Sequence, residues 1–265
     1  MQVQIAAYGQ AGLDRVAAHV HPETEGVRWL VSVQDGGEEI LIPENLALRK
    51  DFDIIVSSDK GVSKNRNHAL DYACDSEIVL LSDDDVDYNE AGLKRLMEAF
   101  EQHPEADFIC CRYKSFGEYT KNYGTGEFDV RKAPFGWYPT TFEMAYRRKK
   151  AEGIRFNENV GPGSGKLISG EDSVFYSDLL RKGLHGVGLP IDLCEHNGAT
   201  TGERLATDPE FLKAKGACVM YEKPVTWFPR FLVHAHRAPI PFFKYLKYTI
   251  GGVMYARRER IFKKD

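Results

Sequence analysis

The stretch Ile78 to Asp87, IVLLSDDDVD, constrains this chain more than any other. Four apolar residues run straight into Ser82, Asp83, Asp84 and Asp85. A short, unbroken apolar run reads as a strand buried on both faces, in a parallel or mixed sheet. Three adjacent carboxylates repel one another, and a core would not hold them unpaired. They therefore belong at the strand's C-terminal edge, where open α/β sheets take their ligands. A divalent cation is the natural counter-charge, and hard oxygen ligands favour Mg, Mn or Ca. An EF-hand loop is excluded. With Asp83, Asp85 and Asp87 as its first, third and fifth ligands, Tyr88 takes the place of the required glycine and Lys94 that of the bidentate glutamate.

The surrounding pattern is strand, turn, helix, repeated up to the aspartates, the sign of a βαβ layout. Strands are expected at Val3 to Tyr8, Val27 to Val33 and Phe52 to Ser57. Gly9 to Gly12 reads as a turn before a helix from Leu13 to His21, and a further helix opens near Gly61 and Ser63. Asn89 or Tyr88 caps a helix over Glu90 to Glu101 with Leu93, Leu96, Met97 and Phe100 on one face. Ala106 to Arg112 and Thr140 to Tyr146 read as strands. Between them, Lys114 to Pro139 is an aromatic-rich loop, long enough to suggest a function. Ser173 to Lys182 reads as a helix stopped by Gly183 and Val187 to Leu193 as a last strand. Leu205 to Asp265 is helical or irregular, interrupted by five prolines.

The 265 residues are 43% hydrophobic and 28% charged, which excludes a disordered chain. The net charge of −4 is unevenly spread: +8 from Lys223 onward and −12 before it. Such a tail suits phosphate, lipid headgroups or another acidic partner. Its aromatic residues, Trp227, Phe228, Phe231, Phe242, Phe243, Tyr245 and Tyr248, fit either an interfacial segment or packing on the rest of the chain. The five cysteines show no CxxC spacing and imply no disulfide framework, as in a reducing, cytosolic setting. The first residues lack a basic region and an apolar core, so no signal peptide is expected. No apolar run is long enough to span a bilayer.

Other groups add chemistry and leave alternatives open. Glu171 and Asp172 follow Gly170 at a helix start, where they either complement the helix dipole or supply a general base. Lys64, Arg66 and Asn67 at a helix start suit an anion or make a solvated basic turn. His196, after the last strand, is a structural residue or a ligand. His234-Ala235-His236 lacks the partners of a zinc site.

In order and spacing these groups resemble the metal-dependent GT-A glycosyltransferases of family-2 type, over roughly Val3 to Gly202. Asp83-Asp84-Asp85 matches the family's DxD motif, with Ser82 where a further Asp is common. Gly61, Arg66 and Asn67 match its Gly-x-x-x-x-Arg-Asn stretch. Phe156-Asn157-Glu158-Asn159-Val160-Gly161 through Gly170-Glu171-Asp172 matches its acceptor-half phrase, and His196 with Thr200-Thr201-Gly202 its closing one. The family's first turn usually reads P-T-Y-N, where this chain has Ala6-Ala7-Tyr8-Gly9. Its D-D-G-S after the second strand corresponds to Gln34-Asp35-Gly36-Gly37, which makes Asp35 the nucleobase candidate.

The resemblance implies a GT-A fold: a Rossmann-like, mixed, mostly parallel sheet flanked by helices, in one catalytic domain over 1–204 (nucleotide-binding half 1–113, acceptor half 114–204) with a C-terminal extension over 205–265. It implies sugar transfer from a nucleotide-diphosphate donor, UDP-linked for preference, to an acceptor hydroxyl, with inversion, in cell-surface polysaccharide synthesis. Asp83, Asp85 and His196 would hold Mn or Mg. Asp35, Lys64, Arg66, Asn67, Asp83 and Asp84 would bind the donor. Asp172 would be the base, aided by Glu171, and Trp137 and Tyr138 could stack on a sugar. The acceptor would be a saccharide or a lipid-linked one. The cysteines point to a cytoplasmic setting, and the tail, read as an interfacial segment, would add peripheral contact with the inner membrane. No nucleic acid partner is expected. A non-catalytic nucleotide-sugar-binding module and a sugar nucleotidyltransferase are the alternatives. The acidic pair argues against the first, and the lack of a Gly-rich phosphate loop at the N-terminus against the second.

Overall fold

The structure, a computed structural model, describes residues 1–72, 75–198 and 207–263. By contact the chain forms two compact units. One holds Met1–Lys60, Asn65–Ile154 and Asp178–Gly198; the other holds Gly61–Lys64, Arg155–Ser177 and the described C-terminal residues.

The first unit is built on a nine-stranded mixed sheet. Its strands are β1 (Gln2–Tyr8), β2 (Arg28–Gln34), β3 (Phe52–Ser57), β4 (Ile78–Asp83), β5 (Asp87–Tyr88), β6 (Phe108–Lys114), β7 (Phe128–Asp129), β8 (Met144–Arg147) and β9 (Gly186–Glu195). The order is β3-β2-β1-β4-β8-β6-β9-β5, with β7 also on β9. β3, β2, β1 and β4 are mutually parallel, as is the β6–β9 pair. β8 runs antiparallel between β4 and β6. The chain lays β2 and β3 on one side of β1 and returns to place β4 on the other. That reversal is a topological switch point at the C-terminal ends of β1 and β4, the place where open α/β sheets take their ligands.

Three of the four apolar residues of β4 are buried as their pattern requires, and Ile78 is partly so. Val79, Leu80 and Leu81 are almost fully buried, and Leu80 joins a core with Val3, Ile5, Trp29 and Val31. Helix α4 (Glu90–Gln102) covers that core with Leu93, Leu96 and Phe100, and its Asn89 cap accepts the Gly92 N–H at 2.6 Å.

Three expectations need correction. Gly9 to Gly12 is not a turn: helix α1 spans Gly9–Ala18. Gly9 turns the chain sharply with φ of +63°, and Gly12 is a buried packing position, where a Cβ would lie 2.9 Å from Asp84 Oδ2. The helix stops before His19 because Asp87 Oδ1 accepts the Val20 N–H at 2.7 Å and meets the His19 ring. Thr140 to Glu143 is not strand. A 3-10 turn over Thr141–Glu143 sends Thr141 to Arg66 and Glu143 to Lys121, and pairing resumes only at Met144. The aromatic loop contains β7 and is folded around a buried cation. Lys121 pairs with Glu143, which also accepts the Tyr123 hydroxyl at 2.6 Å, and the rings of Tyr113 and Tyr138 lie 5.2 and 4.5 Å from Lys121 Nζ. A short helix α2 (Glu44–Ala47) and helix α3 (Val62–Asp71) complete the connections.

In the second unit the loop after Phe156 is tied down by backbone. Gly161 N–H donates to Leu167 O at 2.8 Å, and Ser63 Oγ donates to Val160 O at 2.6 Å. Helix α5 (Glu171–Arg181) follows. Helices α6 (Pro209–Glu222), α7 (Trp227–Arg237) and α8 (Phe242–Arg258) make up the C-terminal region. Val160, Leu167, Val174, Ala214, Ala217, Cys218 and Ala256 form one cluster. Cys110, Cys111, Cys194 and Cys218 are buried free thiols. Among the described residues no helix is long and apolar enough to cross a membrane. Cys74 and Thr200-Thr201-Gly202 lie outside the described residues.

Candidate active site

The aspartates stand where the sheet reverses. Asp83 closes β4 in register with Ala6 of β1, and Asp84 and Asp85 form the turn beyond it. Val86, fully buried, pins that turn, and β5 then pairs with the end of β9, Asp87 opposite Glu195. This pairing carries His196 to Asp85: Nε2 to Oδ2 is 3.2 Å.

Each carboxylate has its own nitrogen partner. Asp83 takes Arg66 Nη2 at 2.6 Å, and the same nitrogen donates to Thr141 Oγ1 at 2.9 Å. Arg66 is 4% exposed, held by α3, whose Asn65 donates to Ala7 O at 2.8 Å. Asp84 receives a bidentate guanidinium from Arg15 at 3.1 and 2.7 Å. That hydrogen bond raises Arg15 above its ordinary pKa, while on Asp84 the loss of water works the other way and pushes the carboxyl up. The short two-pronged contact argues for the charged pair. On Asp85 burial opposes ionisation, yet the hydrogen bond and charge of His196 hold its pKa below the usual value. The hydrogen bond to Asp85 in turn raises His196. The His196 ring stacks on Phe142 with centroids 5.2 Å apart, and its buried Nδ1 has no hydrogen-bond partner.

Among the described residues no three metal-ligating side chains converge. The donor set that is present still suits a hard cation. Asp85 and His196 stand side by side as one oxygen and one nitrogen ligand, and Mg or Mn bound with a substrate uses one or two protein ligands and takes the rest from phosphates and water. Asp83, engaged by Arg66, is the last residue of β4, two positions before Asp85.

A second corner lies at the ends of β1, β2 and β3. Asp35 Oδ1 accepts the Gly37 N–H at 2.8 Å and Oδ2 accepts Ser58 Oγ at 2.9 Å. Tyr8, half exposed, lies over this turn, its hydroxyl 3.2 Å from where a Cβ on Gly36 would stand. Tyr8, Arg15 and Thr141 escaped the sequence reading. Tyr8 could have been found from its place at the end of β1, but nothing local marks Arg15 as the partner of Asp84. Ser82, fully buried and hydrogen-bonded to Asp83 O at 3.0 Å, sits where a carboxylate would be stranded.

Of the remaining candidates, Asn67 is buried in α3 and Lys64 opens that helix, half-buried. Glu171 and Asp172 are the first two residues of α5, half-buried, in the second unit. Gly170 before them has φ of +101°, and Gly161 stands where a Cβ would lie 3.1 Å from the Glu171 carboxylate. Trp137 packs edge-on against Phe128 at 5.5 Å, while Tyr138 is half exposed.

A reversing α/β sheet with carboxylates at its switch point is the architecture of the GT-A sugar transferases. The profile of the Glycosyl transferase family 2 matches residues 32–168, more than half of the chain and including all three aspartates. The chain belongs to this family and is a glycosyltransferase. No curated protein matches the sequence. Among solved structures, S. aureus TarS 1-349 is 15% identical, with a TM-score of 0.60 over 97% of this chain and 71% of that one. The same protein in complex with UDP is 16% identical, TM-score 0.59, over 89% and 69%. In complex with UDP-GlcNAc it is 16% identical, TM-score 0.58, over 97% and 73%. At such identity the likeness establishes the fold.

Proposed function

We propose that this glycosyltransferase moves a sugar from a nucleotide-diphosphate donor, a UDP-sugar, to an acceptor hydroxyl with inversion. The observation that carries this reading is the paired arrangement at the sheet's switch point: Asp85 with His196, and Asp83 with Arg66. The UDP and UDP-GlcNAc complexes of TarS support the donor class. Asp35 accepts from a nucleobase N–H and the Tyr8 ring offers a stacking face. Arg66, Asn67 and Lys64 bring donor groups and positive charge toward the diphosphate. Asp83 and Asp84 offer oxygens to the ribose. Asp85 and His196, with Asp83 in support, would hold Mn or Mg, which when bound offsets the charge on the leaving diphosphate.

Asp172 takes the acceptor's hydroxyl proton on a carboxylate oxygen as the hydroxyl oxygen bonds to the anomeric carbon. The bond from that carbon to the diphosphate breaks, and Glu171 hydrogen-bonds the sugar or acceptor. Residues 1–204 form the transfer domain, 1–113 for the donor and 114–204 for the acceptor, and 205–265 the extension. The acceptor is a saccharide or a lipid-linked saccharide of cell-surface polysaccharide synthesis, met in the cytoplasm at the inner membrane. Asp172→Asn tests the base. UDP-sugar affinity should hold while transfer falls by about 10²–10⁴, the worth of a positioned base. Lost donor binding, or unchanged transfer, would contradict the assignment.

A further inference from the structure

Helix α7 is a surface helix with a second apolar side. Of its eleven residues only Phe231 and Ala235 are buried. Phe228 and Leu232, one turn apart, are 45% and 36% exposed, and Val233 is 51% exposed. Just before the helix, Val225 is 89% exposed. Arg230, His234 and Arg237 follow round the helix from this apolar side. The start of α8 repeats the pairing of exposed apolar and cationic groups, with Phe243 81% exposed beside Lys244. Phe243, Lys247, Gly251, Met254 and Arg258 then share one exposed stripe of α8.

The charge is as uneven as the apolar exposure. From Lys223 to Arg258 the chain carries Lys223, Arg230, Arg237, Lys244, Lys247, Arg257 and Arg258, and no Asp or Glu. A helix with bulky apolar residues turned outward and cations beside them buries the first among acyl chains and sets the second among headgroup phosphates. Nucleic acid would meet the cations but gain nothing from Phe228, Leu232 and Val233.

We propose that α7 and the start of α8 dock the enzyme on an anionic lipid bilayer, with Val225, Phe228, Val233 and Phe243 entering the interface and Arg230, Lys244 and Lys247 on the phosphates. The proposal deepens the reading of a lipid-linked acceptor and rests on it for its purpose: the surface brings the transfer site to the membrane where such an acceptor is held.

Co-sedimentation of the full chain with vesicles tests it, using phosphatidylcholine alone and phosphatidylcholine with phosphatidylglycerol. The wild type should pellet with the mixed vesicles and stay in solution with the neutral ones. Phe228→Ser with Val233→Ser, and separately Arg230→Glu with Lys244→Glu, should each weaken binding by about tenfold or more, since one large apolar side chain is worth over a decade in partitioning and reversing two basic residues turns attraction to the anionic headgroups into repulsion. Unchanged circular dichroism and UDP affinity in both variants show that the fold and donor site are intact. No binding to mixed vesicles would overturn the proposal. So would binding that ignores the serine variant, as a nucleic acid or other polyanion surface would. So would a wild-type dimer in sedimentation velocity that the serine variant abolishes. Failure here with UDP binding intact leaves sugar transfer standing, and failed UDP binding with intact vesicle binding counts only against the donor reading.

Discussion

His21 shows how one residue sets a pH limit away from the catalytic groups. It is 5% exposed, its ring edge-on to Trp29 and Phe52 with centroids at 4.8 and 5.8 Å. Burial takes its pKa down from 6.5 to about 4. Folded His21 is therefore neutral where the unfolded chain would be protonated. Stability is flat above the unfolded value and falls as pH drops from about 6.5 toward about 4, because the unfolded state binds the extra proton. The shift corresponds to about 3 kcal/mol across that window. Urea unfolding at pH 7 and pH 4.5 should show the loss, and His21→Gln should remove most of this share of it. An unaltered pH slope in the variant would mean that His21 is not its source. The tripled aspartates were legible as a ligand edge for a similar reason: burial of unpaired charge is too costly to be accidental. Their partners Arg15 and Arg66 were unequally legible. Arg66 stands in a motif, whereas Arg15 meets Asp84 only because α1 packs over the end of β4.

At the scale of elements, α6 and α8 are locked by glycine. A Cβ on Gly216 would lie 2.0 Å from Thr249 O, and one on Gly252 would lie 1.9 Å from Lys213 O. The obstacles are backbone, so neither can swing aside. Alanine gains about 1 kcal/mol of helix propensity over glycine. Overpacking of this kind costs about 1–3 kcal/mol or more, and a backbone clash belongs at the upper end. Gly216→Ala should therefore lower Tm. The neighbouring Gly251 meets nothing within 4 Å, and Gly251→Ala should hold or raise Tm. Equal effects from the two would contradict the close approach. No periodicity announces such a contact, and from sequence this region read only as helical or irregular. The glycines of α1 misled in the opposite sense, since Gly9 and Gly12 looked like a turn and are a joint and a packing position inside a helix.

For the molecule as a whole, the sequence disclosed the parallel half of the sheet, because its strands carry apolar runs: Ile78–Leu81 in the largely buried β4, and Ile54-Ile55-Val56 in the partly exposed edge strand β3. It did not disclose β5 and β7, two residues each, which exist only because β9 offers them an edge. It placed His196 after a strand but not beside Asp85, a neighbour made by the β5–β9 pairing. That neighbour is central to the account, in which a UDP-sugar and a divalent cation meet at Asp83, Asp85 and His196. The most direct test is calorimetric titration of UDP into the wild type and Asp85→Ala, each with and without Mn. If Asp85 holds the cation, UDP binding in the wild type should tighten at least about tenfold with Mn, and Asp85→Ala should show no tightening. UDP binding that is the same with and without Mn, or that keeps its Mn dependence in Asp85→Ala, would contradict it.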